Sequence, residues 1–291
     1  MPSGQKTFSP RVTFAKRRLH SLSCFSHPSQ SRDNIFSFHL NMTCVISCLY
    51  AFLNKTDHSN VNNPNYRLPI LEKIFLPSPI DIILCFHNAF RKDISQIDSS
   101  TLAIARSGGN LSPVLNRLHS MDEILDYHAR GEEAAVFPAV DNVAPLVARA
   151  YLMDHRELDK MVNSFEDMLL EISPDPLQAA SATAVLNSHL RIHLDKEDAH
   201  LYPILREKTT FSQQVAIGGI MSSKIPPDRF PAAIAWLFPL LDLNDQVTVT
   251  KGWMTLMPAQ VFANVKPLIK NAVAEGWDSI AQRIPELNEK I

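Results

Sequence analysis

The stretch His128-Ala-Arg-Gly-Glu-Glu-Ala-Ala-Val-Phe-Pro138 is written a second time as His193-Leu-Asp-Lys-Glu-Asp-Ala-His-Leu-Tyr-Pro203. Both copies hold His-x-x-x-Glu, a second acidic residue, Ala, and an aromatic residue followed by Pro at matching offsets. Histidine and glutamate four residues apart on a helix project from the same face. Two such pairs can supply one shared metal site.

Upstream of each copy lies one further histidine, His87 before the first and His155 before the second, at separations of 41 and 38 residues. Each sits where an apolar helical stripe should continue. Ile80, Ile83 and Leu84 lead to His87; Leu118, Met121, Ile124 and Leu125 lead to His128; Tyr151 and Leu152 lead to His155. The order His, His-x-x-x-Glu, His, His-x-x-x-Glu makes each half a helical hairpin, and antiparallel pairing brings the four histidines to similar depth. Four imidazoles and two carboxylates facing an apolar core are costly unless something satisfies them. Two bound cations would. Imidazole and carboxylate without thiolate suit Fe, Mn or Zn. The expected metal ligands are therefore His87, His128, Glu132, His155, His193 and Glu197, with the two carboxylates able to bridge a dinuclear centre. His119 lies nine residues before His128, on the opposite side of an ideal helix, and is expected at the surface. Glu197-x-x-His200 has the spacing of ferritin-like bundles, but Ala135 stands at the matching position of the first copy, so His200 is set aside. His189 is also left out. The alternative is a metal-free structural bundle in which these are ordinary i,i+4 pairs.

Around this repeat the pattern is helical, with no convincing strand. Helices are expected from Pro79 to about Ile97, from a Ser112 N-cap through His128, from about Pro145 to Glu171, and from about Leu177 to Lys208. Ser107-Gly108-Gly109-Asn110 and Ser173-Pro174-Asp175-Pro176 separate them. The fold expected is all-α: an up-and-down four-helix bundle over residues 76–208, with an additional C-terminal helical region over 209–291, choppy with proline and without ligand spacing.

Residues 1–75 differ. Up to Lys55 the sole acidic residue is Asp33, against seven basic ones, and serine is frequent. Such a leader, expected to be poorly structured, resembles an organellar transit peptide. The location expected is cytoplasmic or nuclear, or a plastid or mitochondrion if the leader is a transit peptide. Ile35 to Leu53 is apolar but interrupted by His39, Asn41, Thr43 and Ser47, so no membrane span is expected. A net charge of -2 over 291 residues gives no case for nucleic acid. The four cysteines form no Cys-x-x-Cys pair, which argues against zinc fingers and thioredoxin-like chemistry.

The residues His87, His128-x-x-x-Glu132 with Phe137-Pro138, His155, and His193-x-x-x-Glu197 with Tyr202-Pro203 resemble the hemerythrin-like, or HHE cation-binding, domain. Phe86-His87-Asn-Ala-Phe-Arg and the phrase around His128 look especially like the hemerythrin domains of plant BRUTUS-type iron-regulating ubiquitin ligases. The resemblance implies two non-haem irons, bridged by carboxylate and oxo or hydroxo groups, that meet dioxygen, with the same six ligands. It implies a role in iron and oxygen sensing or iron homeostasis, read by a protein partner through the C-terminal helical region. A di-iron oxidase, or an enzyme scavenging reactive oxygen or nitrogen species, is the alternative; a regulatory metal-binding role is favoured over an enzymatic one. Oxygen-carrying hemerythrins have a histidine four residues after the one matching His155, where Asp159 stands here, which argues against reversible oxygen carriage. No Cys-rich zinc-finger or RING-like cluster follows, so no ubiquitin-ligase module is expected in this chain.

Overall fold

The computed structural model describes residues 78–288, all of whose regular elements are helical. The expected leader, its apolar stretch Ile35 to Leu53 and three of the four cysteines lie outside the described residues. Helix α1 spans Ile80–Ser107 and α2 spans Ser112–Gly131. A turn of π-helix, Glu132–Val136, joins α2 to α3, Phe137–Val143. Helix α4 spans Ala148–Leu169 and α5 spans Pro176–Lys196; a second π turn, Glu197–Leu201, leads into α6, Tyr202–Lys208. Among the described residues no helix is long and apolar enough to cross a membrane.

Two boundaries differ from expectation. Helix α1 continues ten residues past Ile97, because Thr101 is buried and Ile104 packs against the core. It stops at Gly108, whose positive φ of 77° an L side chain would resist. Ser112 is the first residue of α2 rather than its cap; the Asn110 side chain accepts the Ser112 N–H at 2.8 Å instead. At α5 the cap is Asp175, which accepts from Leu177 N–H at 2.9 Å.

Both π turns fall on the repeated phrase, each beginning at its glutamate. The N–H of Phe137 bonds to the carbonyl of Glu132, and that of Tyr202 to the carbonyl of Glu197, five residues back in each case. The cause is the proline that follows. Pro138 and Pro203 have no N–H for the carbonyl four residues earlier, and their rings crowd it. Widening the preceding turn lets the helix pass them without a break.

The bundle interior is layered. One apolar cluster contains Phe90, Ile94, Leu118, Met121, Leu158, Phe165, Leu186 and Leu190. Another contains Ile83, Val136, Phe137, Val140, Tyr151, Leu201 and Leu205. The six expected ligands occupy the level between them, all buried. The C-terminal region comprises α7 (Phe211–Ser222), α8 (Phe230–Leu237), α9 (Leu243–Leu256), α10 (Ala259–Val273) and α11 (Trp277–Arg283), with short 3-10 turns between. Its core of Phe238, Trp253, Phe262, Ile269 and Ile280 is completed by Ile82, Cys85 and Ala89 of α1. Helix α7 lies on the first π turn. A Cβ on Gly131 would meet Met221 atoms at 3.1 Å, so a side chain there would have to push Met221 back by a few tenths of an ångström.

Candidate metal centre

The structure brings all six expected residues together. His87 comes from α1, His128 from the last turn of α2, His155 from α4 and His193 from the end of α5; Glu132 and Glu197 open the two π turns. Their donor atoms form two groups. His87, His128, Glu132 and Glu197 make one, and His155, His193, Glu132 and Glu197 the other, each with one ligand atom per residue within 4.8 Å of the rest. Both carboxylates belong to both groups. Glu132 places Oε1 at 3.3 Å from His128 Nε2 and Oε2 at 3.3 Å from His155 Nε2. Glu197 places Oε1 at 3.4 Å from His193 Nε2 and Oε2 at 3.7 Å from His87 Nε2. His119, His189 and His200 are exposed and stand apart; His119 pairs with Glu166 at 3.3 Å.

The donors are poorly satisfied by one another. Among the described residues, the buried side-chain atoms without a hydrogen-bond partner are Glu132 Oε2, His155 Nε2, His193 Nδ1, both oxygens of Glu197, and, away from this level, Asn187 Oδ1. Buried polar atoms are nearly always paired, and an unpaired one costs about 1–3 kcal/mol. The Nε2 atoms of His87 and His128 face each other at 3.0 Å, so a proton or a cation must lie between their lone pairs or close by. Orphaned imidazole nitrogens and carboxylate oxygens converging at one depth fit a pair of cations of borderline hardness.

Electrostatics sharpen this. Burial opposes ionisation of Glu132, but the His128 and His155 imidazoles outweigh it and hold the carboxyl well below the usual range. Burial, then the neighbouring Glu132, Asp198 and Asp154 carboxylates, push Glu197 well above it. Burial depresses His87 despite its bond to Asp198, and lowers His193 to about 4. His155 is raised: burial is overcome by Glu132 and Glu133. Without a cation, two adjacent carboxylates cannot both ionise comfortably at this depth.

An outer ring holds the ligands in place, and sequence reasoning missed most of it. His87 Nδ1 donates to Asp198 Oδ1 at 2.7 Å, and Arg91 grips the other oxygen of Asp198 at 2.6 Å. His155 Nδ1 lies 3.2 Å from Glu133 Oε1, and Arg156 grips that carboxylate's other oxygen at 2.8 Å. Glu133 and Asp198 are the second acidic residues of the repeated phrase, each reaching the upstream histidine of the other half. With Nδ1 bonded outward, Nε2 of each ring is left with its lone pair toward the centre. The signal was the acidic residue at matching offsets in both copies; what it bonds to could not be read from one dimension. His193 Nδ1 lies 3.5 Å from Asp154, which Lys196 holds in turn. Tyr202, the aromatic residue of the second phrase, donates its hydroxyl to Glu132 Oε1. Burial first, then Glu132 and Glu197, push its hydroxyl well above the usual tyrosine range. Its counterpart Phe137 packs on the His155 ring at 5.1 Å and offers Glu197 no hydrogen bond. Tyr127, one residue before His128, donates its hydroxyl to Glu123 at 2.8 Å.

A helical bundle with two buried groups of imidazole and carboxylate donors, able to hold cations and sharing both carboxylates, is the class that fold and geometry define. The family model described as the hemerythrin HHE cation binding domain matches residues 78–208, the span of the bundle. Among curated proteins, the chain is similar to a zinc finger protein BRUTUS-like of Arabidopsis thaliana, 22% identical over 238 residues, covering 70% of this chain and 19% of the relative. Zinc finger protein BRUTUS of the same plant is 21% identical over 188 residues, covering 63% of this chain and 15% of the relative. The chain thus spans less than a fifth of the length of these relatives. No solved structure matches.

Proposed function

We propose that His87, His128, Glu132, His155, His193 and Glu197 hold two non-haem iron ions, and that the protein serves iron homeostasis by reporting iron occupancy. The observation that carries this is the sharing of both carboxylates between two four-residue groups whose buried donor atoms are otherwise unpaired. The BRUTUS-type likeness supports iron over manganese or zinc. The ions would supply the positive charge that lets both glutamates ionise at this depth. The protein's part is to fix the donors: Asp198 and Glu133 orient His87 and His155, and Tyr202 orients Glu132.

Because the ligands come from four helices, binding joins those helices and its free energy becomes folding free energy. Helix α1 carries His87 and also packs into the C-terminal core, with Asn88 donating to Asp245 at 2.8 Å. The C-terminal region therefore touches the same helix that occupancy orders, which makes it the surface for a protein partner to read. Anaerobic Fe(II) loading followed by metal analysis tests the reading. Near two irons per chain are expected, with the optical spectrum of a coupled ferric pair after air exposure. A stoichiometry near zero refutes it.

One observation favours a second reading, an oxidase or scavenging enzyme. A cavity of about 20 Å³ is lined by His128, Glu132, His155 and His193 and reaches surface residues. That is room for about one water-sized molecule. Repeated dioxygen consumption with an added reductant would favour the enzyme; a single stoichiometric oxidation favours the sensor.

A further inference from the structure

The two four-residue groups are alike in composition and unlike in what their donors already do. In the His87–His128 group, His87 directs Nδ1–H at Asp198 Oδ1, 2.7 Å away, so its Nε2 carries a lone pair. His128 Nε2 lies 3.0 Å from that atom, a hydrogen bond in which His128 donates. His128 therefore holds its proton on the nitrogen that points into the group. The Glu132 oxygen on this side, Oε1, lies 3.3 Å from His128 Nε2 and accepts the Tyr202 hydroxyl. In the His155–His193 group the matching donors are free. His155 turns Nδ1 outward to Glu133 Oε1 at 3.2 Å, and its Nε2 has no hydrogen-bond partner. Glu132 Oε2, 3.3 Å from that Nε2, has none either. The asymmetry is written in the repeated phrase: Tyr202 of the second copy stands at the offset of Phe137 in the first, and a phenylalanine has no hydroxyl to offer Glu197.

We propose that the His155–His193 group takes the first divalent cation, and that the His87–His128 group, held back by Tyr202 and by its own histidine pair, takes the second about tenfold more weakly. The inference rests on the metal-binding reading above and adds an order of filling to it. Loading the His155–His193 group breaks no hydrogen bond at His155 Nε2 or Glu132 Oε2 and gives both orphaned atoms a partner. Loading the other group moves the His128 proton to Nδ1, parts that ring from His87, and draws Glu132 Oε1 away from the Tyr202 hydroxyl. Tyr202 thus acts through Glu132 as a positioning residue that sets the affinity of one half of the site. For a protein that reports metal, the result is two thresholds: one ion per chain over about a tenfold window of free metal, and two above it.

The test is calorimetric titration of the metal-free full-length chain with Co(II) under argon, with ligand-field absorption counting the ions bound. The parent should take up two ions in two steps. Repulsion between the ions would part the steps whatever their order, so the deciding comparison uses variants that hold one ion. His128→Gln leaves the His155–His193 group intact and should bind one Co(II) about tenfold more tightly than His193→Gln, which leaves only the His87–His128 group. Adding Tyr202→Phe to His193→Gln should tighten the remaining site about tenfold, and adding it to His128→Gln should change affinity by less than about threefold. A merely structural role for Tyr202 would weaken both. Equal affinity in the two histidine variants, or the reverse order, refutes the proposal, as does a weaker His193→Gln site after Tyr202→Phe. If Tyr202→Phe fails to fold, the two histidine variants decide alone. A parent that binds no Co(II) refutes the metal reading and the order with it. A parent that binds two ions while the histidine variants bind equally removes the order alone.

Discussion

Sharing of the two glutamates makes a prediction that separates them from the histidines. Glu197 lies 3.4 Å from His193 through Oε1 and 3.7 Å from His87 through Oε2, so it serves both groups, whereas His193 serves one. A ligand that binds only the folded state stabilises it by about 2.7 kcal/mol at one hundred times its dissociation constant. Two ions contribute about 5 kcal/mol on that basis, a rise in Tm of about 10–20 °C for a domain of roughly 200 residues. Glu197→Gln should therefore abolish nearly the whole metal-dependent rise and take stoichiometry well below one ion per chain. His193→Gln should leave about half the rise and close to one ion. The metal-free Glu197→Gln protein should melt no lower than the metal-free parent, because the amide removes a carboxyl that burial and the neighbouring Glu132 already keep from ionising. Differential scanning calorimetry with and without Fe(II) or Zn(II) under argon, paired with metal analysis, gives both quantities. Equal losses in the two variants would refute the bridging role. A metal-dependent rise that survives both would refute the site.

Three further outcomes follow from particular contacts. Tyr202→Phe removes the hydroxyl that satisfies Glu132 Oε1 and leaves that buried oxygen unpaired, so urea unfolding of the metal-free protein should show a loss of about 1–3 kcal/mol. Gly131→Ala gains about 1 kcal/mol of helix propensity but drives a methyl against Met221 at 3.1 Å; a net loss is expected in thermal unfolding, and Met221→Ala should relieve little of it in the double variant, because the Cα and Cβ contacts remain. Burial holds His193 at about 4, below the ordinary 6.5, so the unfolded chain takes its proton first as pH falls. Its contribution to the metal-free fold is complete above pH 6.5 and lost on descent to about pH 4, on the order of 3 kcal/mol, and His193→Asn should flatten that part of the stability profile.

Much of this architecture is legible in one dimension. The apolar stripes run into His87, His128, His155 and His193 at helical spacing, and that spacing alone puts those rings inside a bundle. Short turn-rich breaks at Ser107–Asn110 and Ser173–Pro176 set the connections. The extension of α1 to Ser107 is not legible, because the polar run Ser99-Ser100-Thr101 carries no stripe; those hydroxyls bond back to carbonyls four residues earlier, at 2.8, 2.7 and 2.8 Å, and so need no outside partner. The role of Tyr202 is hidden by its likeness to Phe137, since only the position of Glu132 across the bundle distinguishes a hydroxyl in use from a ring in a core.

Sequence alone determined which residue types repeat, at what spacing, and on which helical faces. That is local information, carried by a 3.6-residue period and a duplicated phrase, and it sufficed for an all-α bundle with inward imidazoles and carboxylates. Tertiary packing decided how the halves interlock: that Glu133 and Asp198 each orient a histidine of the opposite half, and that both glutamates span both groups. These depend on distances between side chains as many as 111 residues apart in the chain, fixed by how four helices pack and by two π turns that re-aim the glutamates. No periodicity encodes such distances, because they come from the shapes that meet across the core.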